Sequence, residues 1–167
     1  MLFLSLLLNS SIGLSNTVQW PDISQPQSGV VNKGDVVGAI VISVGDYIDP
    51  SIPDIVGANQ NAEDWYVYFT KTLNLSASHV RLLTDQDVRK FSVEKESQAL
   101  AKRLGKLDEA GSVWVIFIGH GAPDTDRHPR FLTSSVQGNV DSIEYDGLTQ
   151  EDMIDPFINE GFDVVGL

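Results

Sequence analysis

Four apolar runs along the chain have the composition of buried β-strands. They lie at 36–44, 80–83, 113–118 and 163–167, where the sequence reads VVGAIVISV, VRLL, VWVIFI and DVVGL. The first and third runs are continuous and rich in β-branched residues, which is typical of strands buried on both faces of a parallel sheet. The fourth has barely begun when residue 167 is reached, so we expect it to be an incomplete strand.

Three stretches between these runs have apolar residues at helical spacing. The first starts at Ala62, and the second has Ser92 as its predicted N-cap. The third opens with a capping box from Thr149 to Asp152 and contains Pro156 as an interior helix breaker. The predicted apolar faces are Ala62, Trp65, Tyr66, Phe69 and Leu73; Val93, Leu100, Leu104 and Leu107; and Met153, Ile154, Phe157 and Ile158.

The order of these elements predicts the fold class. Strand, helix, strand, helix, strand, loop, helix and strand follow one another, which favours an α/β domain with a mainly parallel sheet. Right-handed crossovers then place helices on both faces of that sheet. We assign this domain to residues 36–167 and an irregular lead-in to residues 1–35.

The lead-in begins with an apolar segment, MLFLSLLL, at residues 1–8. A membrane-spanning helix needs about 20 apolar residues, so we expect no membrane span here. The length fits the core of a signal peptide over residues 1–16, although no Lys or Arg precedes it. Two compartments therefore stay open: secreted if the segment is a signal peptide, and cytoplasmic otherwise.

Composition narrows the range of functions. The 167 residues include 11 Lys+Arg and 23 Asp+Glu, for a net charge of -12. That balance argues against a protein that binds nucleic acid by neutralising phosphates. The chain contains no Cys, which excludes disulfides, a thiolate zinc site and a cysteine nucleophile within these residues.

Two polar residues directly follow predicted strands, where catalytic groups gather in open α/β sheets. Asp46 follows the first strand and His120 follows the third. His120 lies between Gly119 and Gly121, and two glycines let the backbone turn sharply and approach a substrate closely. A histidine presented in this way is suited to act as a general base, and the Gly121 N–H could face a developing oxyanion. The alternative is a loop histidine with no chemical role.

Other interpretations of this segment have weaker support. The G-H-G tripeptide begins like a dinucleotide-binding fingerprint, but Asp124 stands where the third glycine belongs, and Pro123 argues against an immediate helix. No G-x-S-x-G elbow is present, so a serine hydrolase has no obvious nucleophile. Four nearby side chains carry metal-ligating atoms without a recognised ligand spacing, namely His120, Asp124, Asp126 and His128.

Several of these segments together resemble the caspase-like cysteine peptidases of the metacaspase-type and bacterial branch. GAIVISVGDY at 38–47 is similar to that family's first strand and the turn after it. VRLLTD at 80–85 is similar to its second strand. VWVIFIGHGAPD at 113–124 resembles the strand that carries the family's catalytic histidine, with Ile118 in place of a more usual Ser.

The resemblance extends to the first helix and covers roughly residues 36–167. Gly57-Ala58 and the QNAED segment at 60–64 are similar to the family's G-A-x-N-D-A-x-D helix start, with Gln-Asn in place of the usual Asn-Asp. The chain departs from the pattern at FLTS, residues 131–134, where the family often has an apolar-Pro-Tyr-Asp stretch. Residues 131–134 therefore do not match the segment that forms the family's substrate-binding loop.

The resemblance implies a caspase-like three-layer α/β/α sandwich with a mainly parallel sheet, incomplete at its C-terminus. It implies a cysteine endopeptidase in which a Cys at the end of the fourth strand attacks the peptide carbonyl and His120 serves as acid and base. Gly121 would supply an oxyanion N–H, and Asp46 would bind the peptide or protein substrate. Some members of the family need Ca²⁺, whereas the residues themselves predict no metal or other cofactor.

The missing cysteine defines the remaining alternatives. In caspases the histidine precedes the cysteine by about 50 residues, which places the nucleophile at roughly position 170, just beyond Leu167. We therefore expect the chain to be the N-terminal, large-subunit part of a peptidase and to be inactive on its own. The alternatives are a catalytically inactive homologue that binds or scaffolds, and an unrelated α/β binding module. The sequence does not predict the oligomeric state.

Overall fold

The computed structural model of the chain describes residues 23–25, 34–107 and 110–167. The candidate signal peptide and nearly all of the lead-in lie outside the described residues. The strands in the described part are β1 (Val36–Ser43), β2 (Val80–Thr84), β3 (Ser112–Ile118), β4 (Gly121–Pro123), β5 (Pro129–Phe131) and β6 (Asp163–Gly166). The α-helices are α1 (Ala58–Val67), α2 (Lys90–Gly105), α3 (Val140–Asp146) and α4 (Gln150–Asn159). A π-helical segment, Tyr68–Thr72, continues α1.

The main sheet has four strands in the order β2-β1-β3-β6, and all neighbouring pairs are parallel. A separate antiparallel hairpin is formed by β4 and β5. The predicted α/β class with a mainly parallel sheet is therefore confirmed. All eight residues of β1 are buried, as expected for a central strand with neighbours on both edges and helices on both faces.

Two hydrophobic clusters lie on opposite faces of the sheet. Ile40 and Ile42 of β1 pack into one cluster, which also holds Leu100 of α2 and Phe157 of α4. The neighbouring positions of β1 alternate to the other face, where the second cluster includes Phe69. Each of these fully buried side chains contributes about 1.5–3 kcal/mol through removal of apolar surface from water. The helices thus cover both faces, in agreement with the crossover rule.

The helix starts differ from the predicted ones at two places. α1 begins at Ala58 rather than Ala62, after Gly57 in a left-handed conformation with φ 85°. α2 begins at Lys90, so the prediction of Ser92 as its N-cap was wrong. The Val93 N–H already donates to the Arg89 carbonyl at 2.9 Å, which places Ser92 inside the first turn.

Two residues of the predicted apolar faces lie outside the core. Leu107 is 39% exposed because α2 ends at Gly105 and the chain turns away there. Ile158 is 51% exposed because it lies about 100° around the helix from the fully buried Phe157. Pro156 remains inside α4 without ending it.

The capping box at the start of α4 is confirmed. The Thr149 hydroxyl accepts a hydrogen bond from the Asp152 N–H at 3.0 Å, and the Asp152 carboxylate accepts one from the Thr149 N–H at 2.8 Å. The segment between β3 and α4, predicted as a loop, instead contains the β4–β5 hairpin and α3. Within the described residues, none of the helices has the length and apolar character that crossing a membrane requires.

Candidate active site

The carboxyl ends of β1, β2 and β3 meet at one edge of the sheet because these strands are parallel. The residues that follow them are the 44–57 loop after β1, Asp85 after β2 and His120 after β3. Open α/β sheets place their ligand and catalytic groups at this edge. The site is therefore assembled from three segments that are far apart in the sequence.

The His120 imidazole is tied to the 44–57 loop by a backbone contact. Its Nε2 atom lies 2.8 Å from the carbonyl oxygen of Pro53. A carbonyl oxygen only accepts hydrogen bonds, so Nε2 must carry the proton in this contact. In the neutral ring Nδ1 is then unprotonated and able to take a proton from another group. This is the protonation pattern that a general base requires.

Tyr47 holds the backbone of the same histidine. Its hydroxyl accepts a hydrogen bond from the His120 N–H at 2.8 Å, and the two ring centroids are 5.3 Å apart. Tyr47 is 8% exposed, and burial raises the pKa of its hydroxyl against the opposing effect of the hydrogen bond from His120. The nearby Asp85 carboxylate also raises this pKa. Tyr47 therefore stays a neutral phenol at ordinary pH.

The β4–β5 hairpin leaves the Gly121 N–H without a hydrogen-bond partner among the described residues. The Leu132 N–H donates to the His120 carbonyl at 2.9 Å, so Gly121 faces Phe131 at a non-hydrogen-bonded position of the hairpin. At such a position the N–H points away from the partner strand, and it has no partner among the described residues. It is thus free to bind a negatively charged oxygen.

Gly119 and Gly121, on either side of His120, differ in how much room each has for a side chain. Neither has a positive φ. The expected sharp turn is therefore not what requires them. A Cβ on Gly119 would lie 2.7 Å from the Phe117 ring and 3.2 Å from the Tyr47 hydroxyl oxygen. A Cβ on Gly121 would meet nothing closer than the Arg130 carbonyl oxygen at 3.5 Å, an ordinary contact. Close packing thus demands a glycine only at position 119.

Asp85 shapes the turn that carries Asp46. One oxygen of its carboxylate accepts hydrogen bonds from the Gly45 and Asp46 N–H groups at 2.8 and 3.0 Å, and the other accepts one from the Asn59 amide. Asn59 in turn accepts a hydrogen bond from the buried Ser43 hydroxyl at 3.0 Å. Asp85 was not among the predicted site residues. The signal that could have found it is its position directly after β2, at the same edge as Asp46.

Asp46 is exposed and lies in a groove beside this network. The residues that line the groove are Asp46, Tyr47, Ile48, Thr84, Asp85, Gln86 and Asp87. Three carboxylates make it acidic, which favours a cationic group. No hydrogen bond joins Asp46 to His120 within the described residues, and Tyr47 connects the groove to the histidine.

The Asp124 side chain connects the residues of the β4–β5 hairpin through hydrogen bonds. Its carboxylate accepts hydrogen bonds from the Arg130 guanidinium at 2.8 and 2.9 Å and from the N–H groups of Asp126 and His128. Burial raises the pKa of Asp124, but these hydrogen bonds and the Arg130 charge outweigh it and hold that pKa below its ordinary value. Asp124 is therefore an ionised anchor for the hairpin that follows His120.

The segment around His120 does not have the structure of a dinucleotide-binding fingerprint. The chain after Gly121 forms β4, whereas a dinucleotide-binding fingerprint requires a helix there. Across the described parts of the chain, no group of three or more His, Asp or Glu side chains could hold a metal ion. No protein-family model and no curated protein matches the chain.

Proposed function

We propose that these residues form the histidine-bearing, large-subunit part of a caspase-like cysteine endopeptidase. His120 is its general acid and base, and the nucleophile is a cysteine outside the 167 residues. The observation that carries the proposal is the placement of His120 at the carboxyl end of β3, with β6 as the parallel neighbour of β3. A residue on the continuation of β6 therefore lies beside the histidine.

The register of β3 and β6 supports this placement in detail. Val115 faces Gly166, and Leu167 continues the ladder through hydrogen bonds of 3.0 Å to Val115 and Phe117. Extended in the same register, the residue that faces His120 follows Leu167 by about four positions. Neighbouring strands are about 4.8 Å apart, so a cysteine near that position lies within reach of the imidazole.

The arrangement provides the groups that amide hydrolysis by a thiol needs. The unprotonated Nδ1 of His120 takes the thiol proton, and the thiolate attacks the peptide carbonyl carbon. The Gly121 N–H stabilises the oxyanion of the tetrahedral intermediate. The imidazolium then gives its proton to the leaving amine, and water hydrolyses the thioester to release the acid and regenerate the thiol.

The acidic groove supports a role for Asp46 in substrate binding. Asp46, Asp85 and Asp87 surround a space that adjoins Tyr47, the residue in contact with His120. The carboxylate of Asp46 is exposed there and has no basic partner among the described residues. We therefore assign the groove to an Arg or Lys side chain of a peptide substrate, next to the bond that is cleaved.

To test the proposal, the gene is sequenced beyond codon 167, and the polypeptide encoded by its reading frame is expressed and purified. We expect a cysteine codon within a few residues of position 171, the register partner of His120. The purified polypeptide should cleave fluorogenic peptides with Arg or Lys before the reporter group, and iodoacetamide should abolish the cleavage.

Two histidine variants make the test specific. His120→Ala should lower kcat by a factor of at least about 10³, because nucleophile and base act as one unit. His128→Ala is the matched control, since that side chain is 70% exposed on the hairpin, and it should keep nearly full activity. A frame without a cysteine near this position, or unchanged activity in His120→Ala, overturns the proposal. The first of these results would favour a binding or scaffolding homologue.

A further inference from the structure

We propose that Tyr47 is a positioning residue that fixes the backbone and the ring of His120. This inference rests on the proposed function, because a positioned imidazole matters most if the imidazole transfers protons. Tyr47 reaches the histidine from the 44–57 loop, the same loop that provides the Pro53 carbonyl. The histidine is therefore held at two separate points by one segment.

The contacts of Tyr47 constrain His120 in two ways. The phenol oxygen accepts the His120 N–H at 2.8 Å, which fixes the peptide plane before the histidine. The phenol ring packs against the imidazole at a centroid distance of 5.3 Å and an interplanar angle of 34°. Together with the hydrogen bond from Nε2 to Pro53, this packing leaves the imidazole little freedom to rotate.

Tyr47 is itself anchored well enough to act as a support. Its N–H donates to the Asp54 carboxylate at 3.0 Å, which joins it to the residue after Pro53. Its side chain belongs to the larger hydrophobic cluster. The glycine at position 119 leaves room for the Tyr47 hydroxyl beside the His120 N–H, because a Cβ at that position would lie 3.2 Å from the phenol oxygen.

The same hydrogen bond selects which amide is free for an oxyanion. The His120 N–H is occupied by Tyr47, whereas the Gly121 N–H next to it has no partner among the described residues. The peptide plane that carries the Gly121 N–H is held by a separate contact, because the Leu132 N–H donates to the His120 carbonyl at 2.9 Å. Tyr47 therefore positions the histidine, and the β4–β5 hairpin positions the Gly121 donor.

Nuclear magnetic resonance on the 167-residue chain tests this without any cysteine. Tyr47→Phe keeps the ring and removes only the acceptor. We expect the His120 amide to exchange with solvent at least tenfold faster than in the wild type, and the imidazole ¹⁵N shifts to move toward those of a free histidine. Tyr145→Phe is the matched control, since Tyr145 is 76% exposed, and it should leave both signals unchanged.

A measurement on the wild-type chain covers the case in which Tyr47→Phe does not fold. The His120 amide should be protected from exchange, and nuclear Overhauser effects should join the Tyr47 and His120 rings. An unprotected His120 amide in the folded wild type overturns the inference, as does a folded Tyr47→Phe variant with unchanged His120 signals. These results do not depend on peptidase activity, so they are separate from a failure of the proposed function.

Kinetics of the cysteine-containing polypeptide distinguish positioning from mere stability. Tyr47→Phe should lower kcat by about 10- to 100-fold with little change in KM, because misplacing a catalytic group by about 1 Å has an effect of this size. A variant that loses stability but keeps kcat in its folded fraction contradicts a positioning role. Tyr145→Phe should change neither constant.

Discussion

The Nε2 atom of His120 lies 2.8 Å from the backbone carbonyl oxygen of Pro53, a residue 67 positions earlier in the chain. The 44–57 loop makes this contact by folding back over the end of β1, where the Ile55 N–H donates to the Gly45 carbonyl at 2.8 Å. Because the acceptor is a backbone atom, no side-chain substitution removes it. The contact is therefore best tested by measuring which nitrogen of the His120 imidazole carries the proton.

The first prediction is that neutral His120 carries its proton on Nε2. The Pro53 carbonyl stabilises this tautomer because it can only accept a hydrogen bond. Long-range ¹H–¹⁵N correlation spectra at mildly alkaline pH should show Nε2 as protonated and Nδ1 as unprotonated. His128 is the internal comparison, because its Nδ1 lies 3.7 Å from an oxygen of the Asp124 carboxylate and should carry the proton there instead. A predominantly Nδ1-protonated His120 would contradict the assignment of Nδ1 as the base.

The second prediction separates the two glycines that flank His120. Gly119→Ala should lower the free energy of unfolding by about 1–3 kcal/mol, because the new methyl group forces the packed Phe117 ring and the Tyr47 hydroxyl to shift. Gly121→Ala should change it by no more than about 0.5 kcal/mol, since its nearest neighbour would be 3.5 Å away. Urea denaturation of both variants checks this difference. Equal losses in the two variants would contradict it.

The parallel sheet could be predicted because its strands carry their own signal. β1 and β3 are continuous apolar runs, and the capping box from Thr149 to Asp152 marks the start of α4 within the sequence. These features depend on residues that are close together in the chain. Hydrophobic patterning and local capping chemistry therefore identified the α/β class and the place of His120 at a strand end.

The parts that were missed have no periodic signal in the sequence. The strands of the β4–β5 hairpin have only three residues each, which is too few to show alternation, and the ion pair of the buried Asp124 with Arg130 joins residues six positions apart. Asp85 reaches across 40 positions to the Gly45 N–H, and the Pro53 carbonyl has no side-chain signature. Such tertiary contacts leave no periodicity in the sequence.

The third prediction concerns a buried hydroxyl in α2. Ser97 is fully buried, and its Oγ has no hydrogen-bond partner among the described residues. An unsatisfied buried hydroxyl costs about 1–3 kcal/mol, so Ser97→Ala should raise the free energy of unfolding by about 1 kcal/mol. For a domain of this size that corresponds to an increase in Tm of about 2–4 °C.

Ser92→Ala in the same helix is the matched control for this change. It removes the same atom from the first turn of α2, where Ser92 is not the N-cap. Only the small propensity gain of alanine should remain, about 0.5 kcal/mol or less. A loss of about 1 kcal/mol in Ser92→Ala would instead indicate that Ser92 caps the helix. No gain in Ser97→Ala would indicate that its hydroxyl is satisfied in solution.

The fourth prediction is a loss of stability in acid that depends on Asp124. The Asp124 carboxyl is buried, but hydrogen bonds from Arg130, His128 and Asp126 hold its pKa below the ordinary value of 3.8 in the folded protein. The unfolded chain therefore binds this proton more readily than the folded one over the pH range just below 3.8. The stabilisation from Asp124 is fully present above that range and is lost as the pH falls through the folded-state pKa.

Chemical denaturation of the wild type and Asp124→Asn from pH 7 to pH 2.5 measures this contribution. Asp124→Asn should be less stable at pH 7, because an amide group would turn a donor toward Arg130 or toward the two backbone N–H groups. The difference between the two proteins should shrink as the pH falls below 3.8. Part of the acid loss should persist in Asp124→Asn, since the N–H groups of Gly138 and Ser51 lower the pKa of Asp49 as well. A difference that stays constant down to pH 2.5 would mean that the Asp124 charge does not stabilise the hairpin after His120.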